Sequence, residues 1–483
     1  MIRVEELARG IVIAGITGTR IDARLPRFGG YLLFAHDGAG VGEVRALTDA
    51  LRRREDDLAP LIAIDQEGGR VARLRVGVEA IPSMMAVGAA GDLELAQRAG
   101  EQTAFDLRRA GCTMDFAPVL DLALDPRNTV IGTRSFGVEP TQVAALGSAF
   151  GRGLNRGGIL PCYKHFPGHG ATAIDSHQAL PIVDADETLL RERDLVPFAA
   201  VAQSAPAVMS GHVLVPAFDS QHPATLSHRI ATDLLRGELG FRGAFVTDCL
   251  EMDAVALADS VGKAVDALVA GADLLVFSHD LELAVAAVAE IERAARDGRV
   301  AVERLEEAYG RVRRLREAGA RPLALDAFPP HPGVGREIAR DAVTLVRGVA
   351  HADPLASILV SFGGPTTALQ HEAPALQGVA ADIDADAEQS RAALDSIEKS
   401  RRRPIILARR AHLHPGQADA IRRIMQRYPD ALAVSMLEPF DLPFFESARH
   451  LVAIYGDDAA SLGGLADVVF GGSMPAGRLP VSL

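Results

Sequence analysis

Ile159-Leu160-Pro161-Cys162-Tyr163-Lys164-His165-Phe166-Pro167-Gly168-His169-Gly170 begins as a short apolar run and ends in cations, with Asp175-Ser176-His177 close behind. The apolar half has the length and composition of a buried strand. The polar half, on a segment punctuated by glycine and proline, has little use as core packing, because each imidazole would need a buried hydrogen-bond partner. It suits instead a loop that holds cations and proton carriers around a polar ligand. The histidines fall at i, i+4 and i+12, a spacing that would also suit a metal site.

The same sequence of apolar run and polar terminus recurs up to about residue 280. Strand candidates are Ile11–Gly15, Tyr31–Phe34, Leu61–Ile64, Thr113–Phe116, Ile159–Tyr163, Ala207–Met209, Ala244–Val246 and Leu274–Phe277. Stretches of helical periodicity lie between most of them, among them Leu93–Arg109, Val143–Asn155, Glu187–Ala202 and Val255–Val269. Continuous apolar strands alternating with helices indicate a parallel sheet covered by helices. Eight such units in 300 or so residues fit an α/β fold of the (β/α)8 TIM type, with its site at the strands' C-terminal ends. Asp65, Asp115, Lys164 with His165, Ser210 with His212, Asp248, and Ser278 with His279 all fall at such ends. Strand ends chosen only for solubility would not be polar at one end alone. That asymmetry points to an enzyme.

Phe328-Pro329-Pro330-His331-Pro332 interrupts the pattern. We divide the chain into a barrel over 1–325, a linker over 326–345 and a second domain over 346–483. Ile338–Val346 reads as helical and then strand-like. Further strand candidates are Ile358–Ser361, Pro404–Ala408, Ala431–Ser435, His450–Ile454 and Asp467–Phe470, alternating with helices. They fit a smaller α/β/α sandwich.

At 483 residues, two domains are expected, and 48% hydrophobic with 23% charged residues is the profile of an ordinary globular protein. A net charge of −13 argues against nucleic acid and anionic membrane as partners. The basic runs Arg52–Arg54 and Arg401–Arg403 read as solvated faces. Cys112, Cys162 and Cys249 show no CxxC spacing and fit a reducing compartment. With no signal-like start and no apolar run of the ~20 residues a span needs, the expected location is the cytoplasm. Aromatics are only 5% and tryptophan is absent, so stacking platforms for long polysaccharides are scarce and a short ligand is expected. A homodimer remains open.

Several segments carry chemistry. Asp65-Gln66-Glu67-Gly68-Gly69-Arg70-Val71-Ala72-Arg73 places two acids and arginines past a strand, suited to vicinal sugar hydroxyls, and its glycine pair would let backbone approach a ligand. The competing reading is a salt-bridged turn. In Thr247-Asp248-Cys249-Leu250-Glu251-Met252 an aspartate at a strand end suits attack on an anomeric carbon, while Asp253 suits a helix N-cap. Asp175 beside His177 could fix an imidazole tautomer for proton transfer, or merely brace a loop. Phe362–Thr367 and Gly38–Gly42 lack the spacing of phosphate or dinucleotide cradles and read as turns.

On these residues the chain resembles glycoside hydrolase family 3, in its β-N-acetylglucosaminidase branch. The Lys164–His177 loop carries the resemblance, together with Asp65–Arg73, Ile131-Gly132-Thr133-Arg134-Ser135-Phe136-Gly137 and Pro475-Ala476-Gly477-Arg478-Leu479-Pro480-Val481-Ser482. It implies a retaining exo-β-N-acetylglucosaminidase with Asp248 as nucleophile, His177 as general acid/base and Asp175 as its orienting partner. Asp65, Arg73, Arg134, Lys164, His165 and Met252 would line the subsite for N-acetylglucosamine. No cofactor or metal is implied, and small cell-wall fragments are the expected substrates. The second domain would be mainly architectural or dimerising.

Three alternatives stay open. Histidine has no anionic form to repel an incoming anion, so inorganic phosphate could replace water and yield a sugar 1-phosphate. A metal-dependent hydrolase would use His165, His169, His177 and an aspartate. A non-catalytic sugar-binding protein would keep the pocket without the chemistry.

Overall fold

The computed structural model describes the chain except residues 1–2, 17, 19–24, 35–39, 55–57, 173–179, 253–258, 322, 325–326, 365–366 and 483. Asp175, His177 and Asp253 therefore lie outside the described residues.

The barrel strands are β1 (Val12–Ile16), β2 (Gly30–Leu33), β3 (Leu61–Ile64), β6 (Met114–Asp115), β7 (Leu160–Phe166), β8 (Ala207–Ser210), β9 (Ala244–Cys249) and β10 (Leu274–Phe277). They close in the order β1-β10-β9-β8-β7-β6-β3-β2, every pair parallel. This is the expected (β/α)8 barrel. Buried on both faces, the strands read as unbroken apolar runs, which is why they were visible in the sequence. Two strands run three residues past their expected ends. β7 continues through Lys164 and His165 because Phe166 pairs with Ser210 after a register shift, and β9 continues through Asp248 to Cys249. A small hairpin, β4 (Gln66–Gly68) with β5 (Val71–Ala72), follows β3.

Helices end where local chemistry ends them. Leu93–Ala110 starts at Asp92, whose side chain accepts from the Glu94 and Leu95 N–H groups, and stops at Gly111 with φ 81°. The helical pattern over Glu187–Ala202 is two helices, Glu187–Glu192 and Val196–Val201. Arg193 breaks the run with φ −123° and ψ −76°.

The second sheet has the order β11-β16-β15-β14-β12-β13, with β11 (Thr344–Arg347), β12 (Ser357–Phe362), β13 (Gln377–Ala381), β14 (Arg403–Ala408), β15 (Leu432–Ser435) and β16 (His450–Ala453). Only β11 runs antiparallel to its neighbour. Ile358, Val360, Phe362, Ile406 and Ala408 join one apolar cluster, and Leu359, Ile405 and Leu407 join the other. That two-residue alternation feeds helices on both faces, giving the three layers expected. Asp467–Phe470 is a correction: Ala459–Val469 is one helix, capped by Asp458. Its small residues and uniform burial hid the helical period.

Helix Val334–Ala342 packs against Met84–Ala90 of the barrel and against Ala459–Val469. A joint apolar cluster of Met85, Ala86, Ala89, Ala123, Ala342, Ala453, Tyr455 and Val481 fastens the two domains. The Pro475–Ser482 strip runs along the barrel, with Arg478 N–H donating to Ala89 O (2.9 Å) and Val138 N–H to Pro480 O (2.9 Å). The basic runs are partly tied to their own chain: Arg52 donates to Gly111 O, and Arg403 to His351 O. At the N-terminal end of β10, buried Asp273 gathers Arg236, Arg304 and Arg311. This cluster lies at the barrel end opposite the polar strand termini. Among the described residues no helix is long and apolar enough to cross a membrane.

Candidate active site

The C-terminal strand ends surround a cavity of about 640 Å³. Asp65, Arg73, Arg134, Lys164, His165, Asp248 and Met252 all line it, together with Glu67, Arg70, His169, Phe34 and His279. Seven of the nine residues singled out from the sequence thus share one space.

Lys164 is buried at the centre of a row of charges. Its Nζ lies 2.7 Å from Asp65 Oδ1 and 2.7 Å from Glu67 Oε1. Arg134 grips Glu67 with a bidentate fork, Nε and one terminal nitrogen each at 2.8 Å. Burial alone would raise the Glu67 carboxyl, but Arg134 and Lys164 hold it well below the ordinary range. Burial alone would neutralise Lys164, but Asp65 and Glu67 keep its pKa raised. Glu67, Lys164 and Arg134 are therefore all ionised.

The imidazoles are held from behind. Asp121, wholly buried, lies 2.6 Å from His165 Nδ1 and accepts the backbone N–H groups of His165 (3.1 Å) and His169 (2.7 Å). Despite burial, His165 and His169 keep Asp121 ionised, its pKa lowered. Nδ1 of His165 is then the protonated nitrogen and Nε2 faces the cavity, 3.5 Å from the Arg134 guanidinium. His169 Nδ1 pairs with Thr172 Oγ1 (2.9 Å), while its buried Nε2 has no partner among the described residues. Burial lowers the His169 pKa and keeps this ring neutral.

Asp248 is half-buried at the end of β9. Its Oδ1 accepts from the Cys249 N–H (2.8 Å) and its own N–H meets Ser210 Oγ (3.3 Å). Burial works against the anion, but His212, His165, the Cys249 N–H and Lys164 outweigh it and depress the carboxyl pKa. His212 is fixed between Thr225 Oγ1 (2.7 Å) and Cys249 O (2.8 Å). An ionised carboxylate facing a cavity lined by polar donors is what a nucleophile toward carbon requires.

Glycines in the Asp65–Arg73 segment serve a different purpose from the expected one. Gly68 and Gly69 have φ of 105° and 56°, and a Cβ at either would meet Pro82 O (2.7 Å) or Ser83 Cα (2.9 Å). They bring backbone close to its own chain, not to a ligand. Arg73 lies over the Phe34 ring, 5.6 Å from its centroid. Glu251 turns away from the cavity chemistry and accepts from the His279 (2.9 Å) and Asp280 (2.6 Å) N–H groups.

Two supporting residues escaped sequence reasoning. Asp121 ends the apolar run Ala117-Pro118-Val119-Leu120, the same strand-then-acid signal seen elsewhere. Glu67 was visible only as one of two acids, because its partners Arg134 and Lys164 lie far along the chain.

A closed barrel with carboxylates, cations and imidazoles converging at its C-terminal mouth defines the class of barrel enzymes. The comparisons narrow this class. Residues 23–315 match the glycosyl hydrolase family 3 N terminal domain, and the chain belongs to that family; it is a glycoside hydrolase. A β-hexosaminidase of Chromobacterium violaceum is 41% identical over 300 residues, 59% of this chain and 83% of its own length. A family 3 β-N-acetylglucosaminidase structure from Paenibacillus sp. str. FPU-7 superposes with a TM-score of 0.92 at 31% identity, covering 100% of this chain and 99% of that one. NagZ from Neisseria gonorrhoeae, solved with N-trifluoroacetyl-D-glucosamine, gives 0.58 at 30% identity, over 68% of this chain and 96% of its own.

Proposed function

We propose that this glycosidase is a retaining exo-β-N-acetylglucosaminidase acting on short β-linked glycans, cell-wall muropeptide fragments foremost. The similarity to β-hexosaminidases and to the Paenibacillus β-N-acetylglucosaminidase supports the sugar specificity. The observation that carries the chemistry is the depressed pKa of Asp248 in the same cavity as the Asp65–Lys164–Glu67–Arg134 row. In this reading Asp248 attacks C1 and forms a glycosyl ester, while His177, oriented by Asp175, protonates the leaving oxygen. His177 then takes a proton from water as the water oxygen bonds to C1 and the ester bond to Asp248 breaks, which frees the sugar with retained configuration and restores the carboxylate. Asp65, Arg73, Arg134, Lys164, His165 and Met252 hold the sugar. His177 and Asp175 enter from the sequence alone, since both lie outside the described residues.

The test is hydrolysis of an aryl β-N-acetylglucosaminide and of purified muropeptides against chitobiose, each with and without phosphate. We expect release of N-acetylglucosamine by the wild type and loss of about 10³-fold or more in kcat for Asp248→Asn. A wild type inactive on all three substrates would sink the reading. A sugar 1-phosphate appearing in place of free sugar would replace water by phosphate as the acceptor.

A further inference from the structure

We infer that Glu438, a residue of the second domain, is a positioning residue for the barrel's sugar pocket. It follows β15, and only 3% of its surface is exposed. Its Oε1 accepts from the Thr133 N–H (3.1 Å), and Arg410 from the same domain holds the carboxylate through Nε (2.6 Å) and a terminal nitrogen (2.8 Å). The carboxylate fills the place where a side chain at residue 132 would stand. A Cβ on Gly132, at φ 43°, would lie 1.9 Å from Glu438 Oε1. Shape and hydrogen bonding therefore both commit the Gly132–Arg134 turn to this one group.

The turn carries the cavity wall. Thr133 is followed directly by Arg134, whose fork holds Glu67, and Glu67 holds Lys164. Thr129 and Val130, just before the turn, line the cavity itself. From the barrel side Arg70 donates to the carbonyls of Thr129, Val130 (2.6 Å) and Ile131 (3.4 Å). The segment is thus held by an arginine on its carbonyls and by a second-domain carboxylate on its amide. Removing Glu438 leaves the buried Thr133 N–H without a partner and the Arg410 guanidinium without its anion. Arg134 would lose its register, and sub-ångström placement is what sugar binding and attack at C1 depend on.

The proposal rests on the glycosidase reading above, through Arg134 at the sugar, and goes beyond it by giving the second domain a part in catalysis. Glu438→Ala, Glu438→Gln, Arg134→Lys and the Glu438→Ala/Arg134→Lys pair would be assayed on an aryl β-N-acetylglucosaminide, with product inhibition by N-acetylglucosamine and thermal unfolding measured alongside. Glu337→Gln is the control. It breaks the 2.8 Å Arg98–Glu337 pair, which also ties the region after the barrel to it, and neither residue lines the cavity. We expect Glu438→Ala to lower kcat/KM about tenfold or more with weaker product inhibition. Glu438→Gln, which keeps an acceptor for Thr133, should lose at least about threefold and less than alanine. The double variant should lose less than the product of its singles. Glu337→Gln should stay within about twofold of wild type. An active wild type with Glu438→Ala inside twofold, or multiplicative loss in the double variant, would overturn the role of Glu438 alone. If the alanine variant does not fold, Glu438→Gln at wild-type kcat/KM does the same. An inactive wild type would instead count against the glycosidase substrate.

Discussion

Asp65 and Glu67 share one lysine, each 2.7 Å from Lys164 Nζ, yet they differ in exposure. The Asp65 side chain keeps 16% of its surface open to the cavity, whereas Glu67 keeps 1% and spends both oxygens on Lys164 and Arg134. Two residues apart in extended chain, they point to the same side, and it is the Arg134 fork that covers Glu67 and not Asp65. One carboxylate is thereby left for a ligand and the other is consumed as scaffold.

That division predicts different losses. Glu67→Ala leaves the buried Arg134 guanidinium without its carboxylate and Lys164 with Asp65 alone, and is expected to destabilise the protein by about 3–5 kcal/mol, read as a lower midpoint in thermal or denaturant unfolding. Asp65→Ala leaves Lys164 paired with Glu67. It should change unfolding much less while raising KM for the aryl β-N-acetylglucosaminide by about tenfold or more. Equal unfolding losses in the two variants would contradict the assignment.

The depressed pKa of Asp248 sets the pH profile. Its carboxyl is already ionised across the mildly acidic range, so protonation of the nucleophile should not limit kcat/KM above about pH 5. With His177 as the acid of the proposed mechanism, the alkaline fall is expected to follow the loss of its proton, from a reference value near 6.5. Replacing His177 by alanine should flatten that fall. It should also spare the first chemical step for a dinitrophenyl leaving group, which needs no proton. A surviving alkaline limb in that variant, measured with the activated substrate, would reassign the acid.

How far the sequence could be read depended on burial. Strands β3 and β10 were bounded to the residue because each is a continuous apolar run between polar ends. β13 went unseen because it is an edge strand of mixed exposure, Gln377-Gly378-Val379-Ala380-Ala381, with no apolar run to mark it. In the cavity, Asp65, Lys164, His165 and Asp248 were legible as polar groups at strand ends. Asp121 and Glu438 act through other side chains from distant parts of the chain. Glu438 is 305 residues from the amide it holds, a pairing that no local pattern encodes.

Chelation is predicted to leave the enzyme active. The cavity-facing Nε2 of His165 has the Arg134 guanidinium at 3.5 Å, so a fixed cation already occupies the neighbourhood a metal ion would need. Its Nδ1 is committed to Asp121. Among the described residues no three His, Cys, Asp or Glu side chains cluster with metal-binding geometry. Activity after exhaustive dialysis against a strong chelator should stay within about twofold of the untreated enzyme. Loss restored by a divalent cation would favour the metal-dependent alternative.

Asp115 makes a prediction about stability. It is fully buried at the end of β6, with Oδ1 accepting from the Gln66 N–H (2.9 Å) and Oδ2 unpartnered among the described residues. Burial pushes its pKa up to about 8, and the lowering effect of the Gln66 N–H and Lys164 does not compensate. Near neutral pH the folded protein therefore holds a proton there that the unfolded chain, with a carboxyl near 3.9, has released. Raising pH then favours unfolding: stability linked to this group is present below about pH 4 and is lost progressively up to about pH 8. Asp115→Asn keeps the acceptor for Gln66 and removes the titration. Its unfolding midpoint relative to wild type should rise steadily from pH 5 to pH 8 and level off above that. A difference independent of pH over this range would mean that the Asp115 carboxyl is ionised in the folded protein.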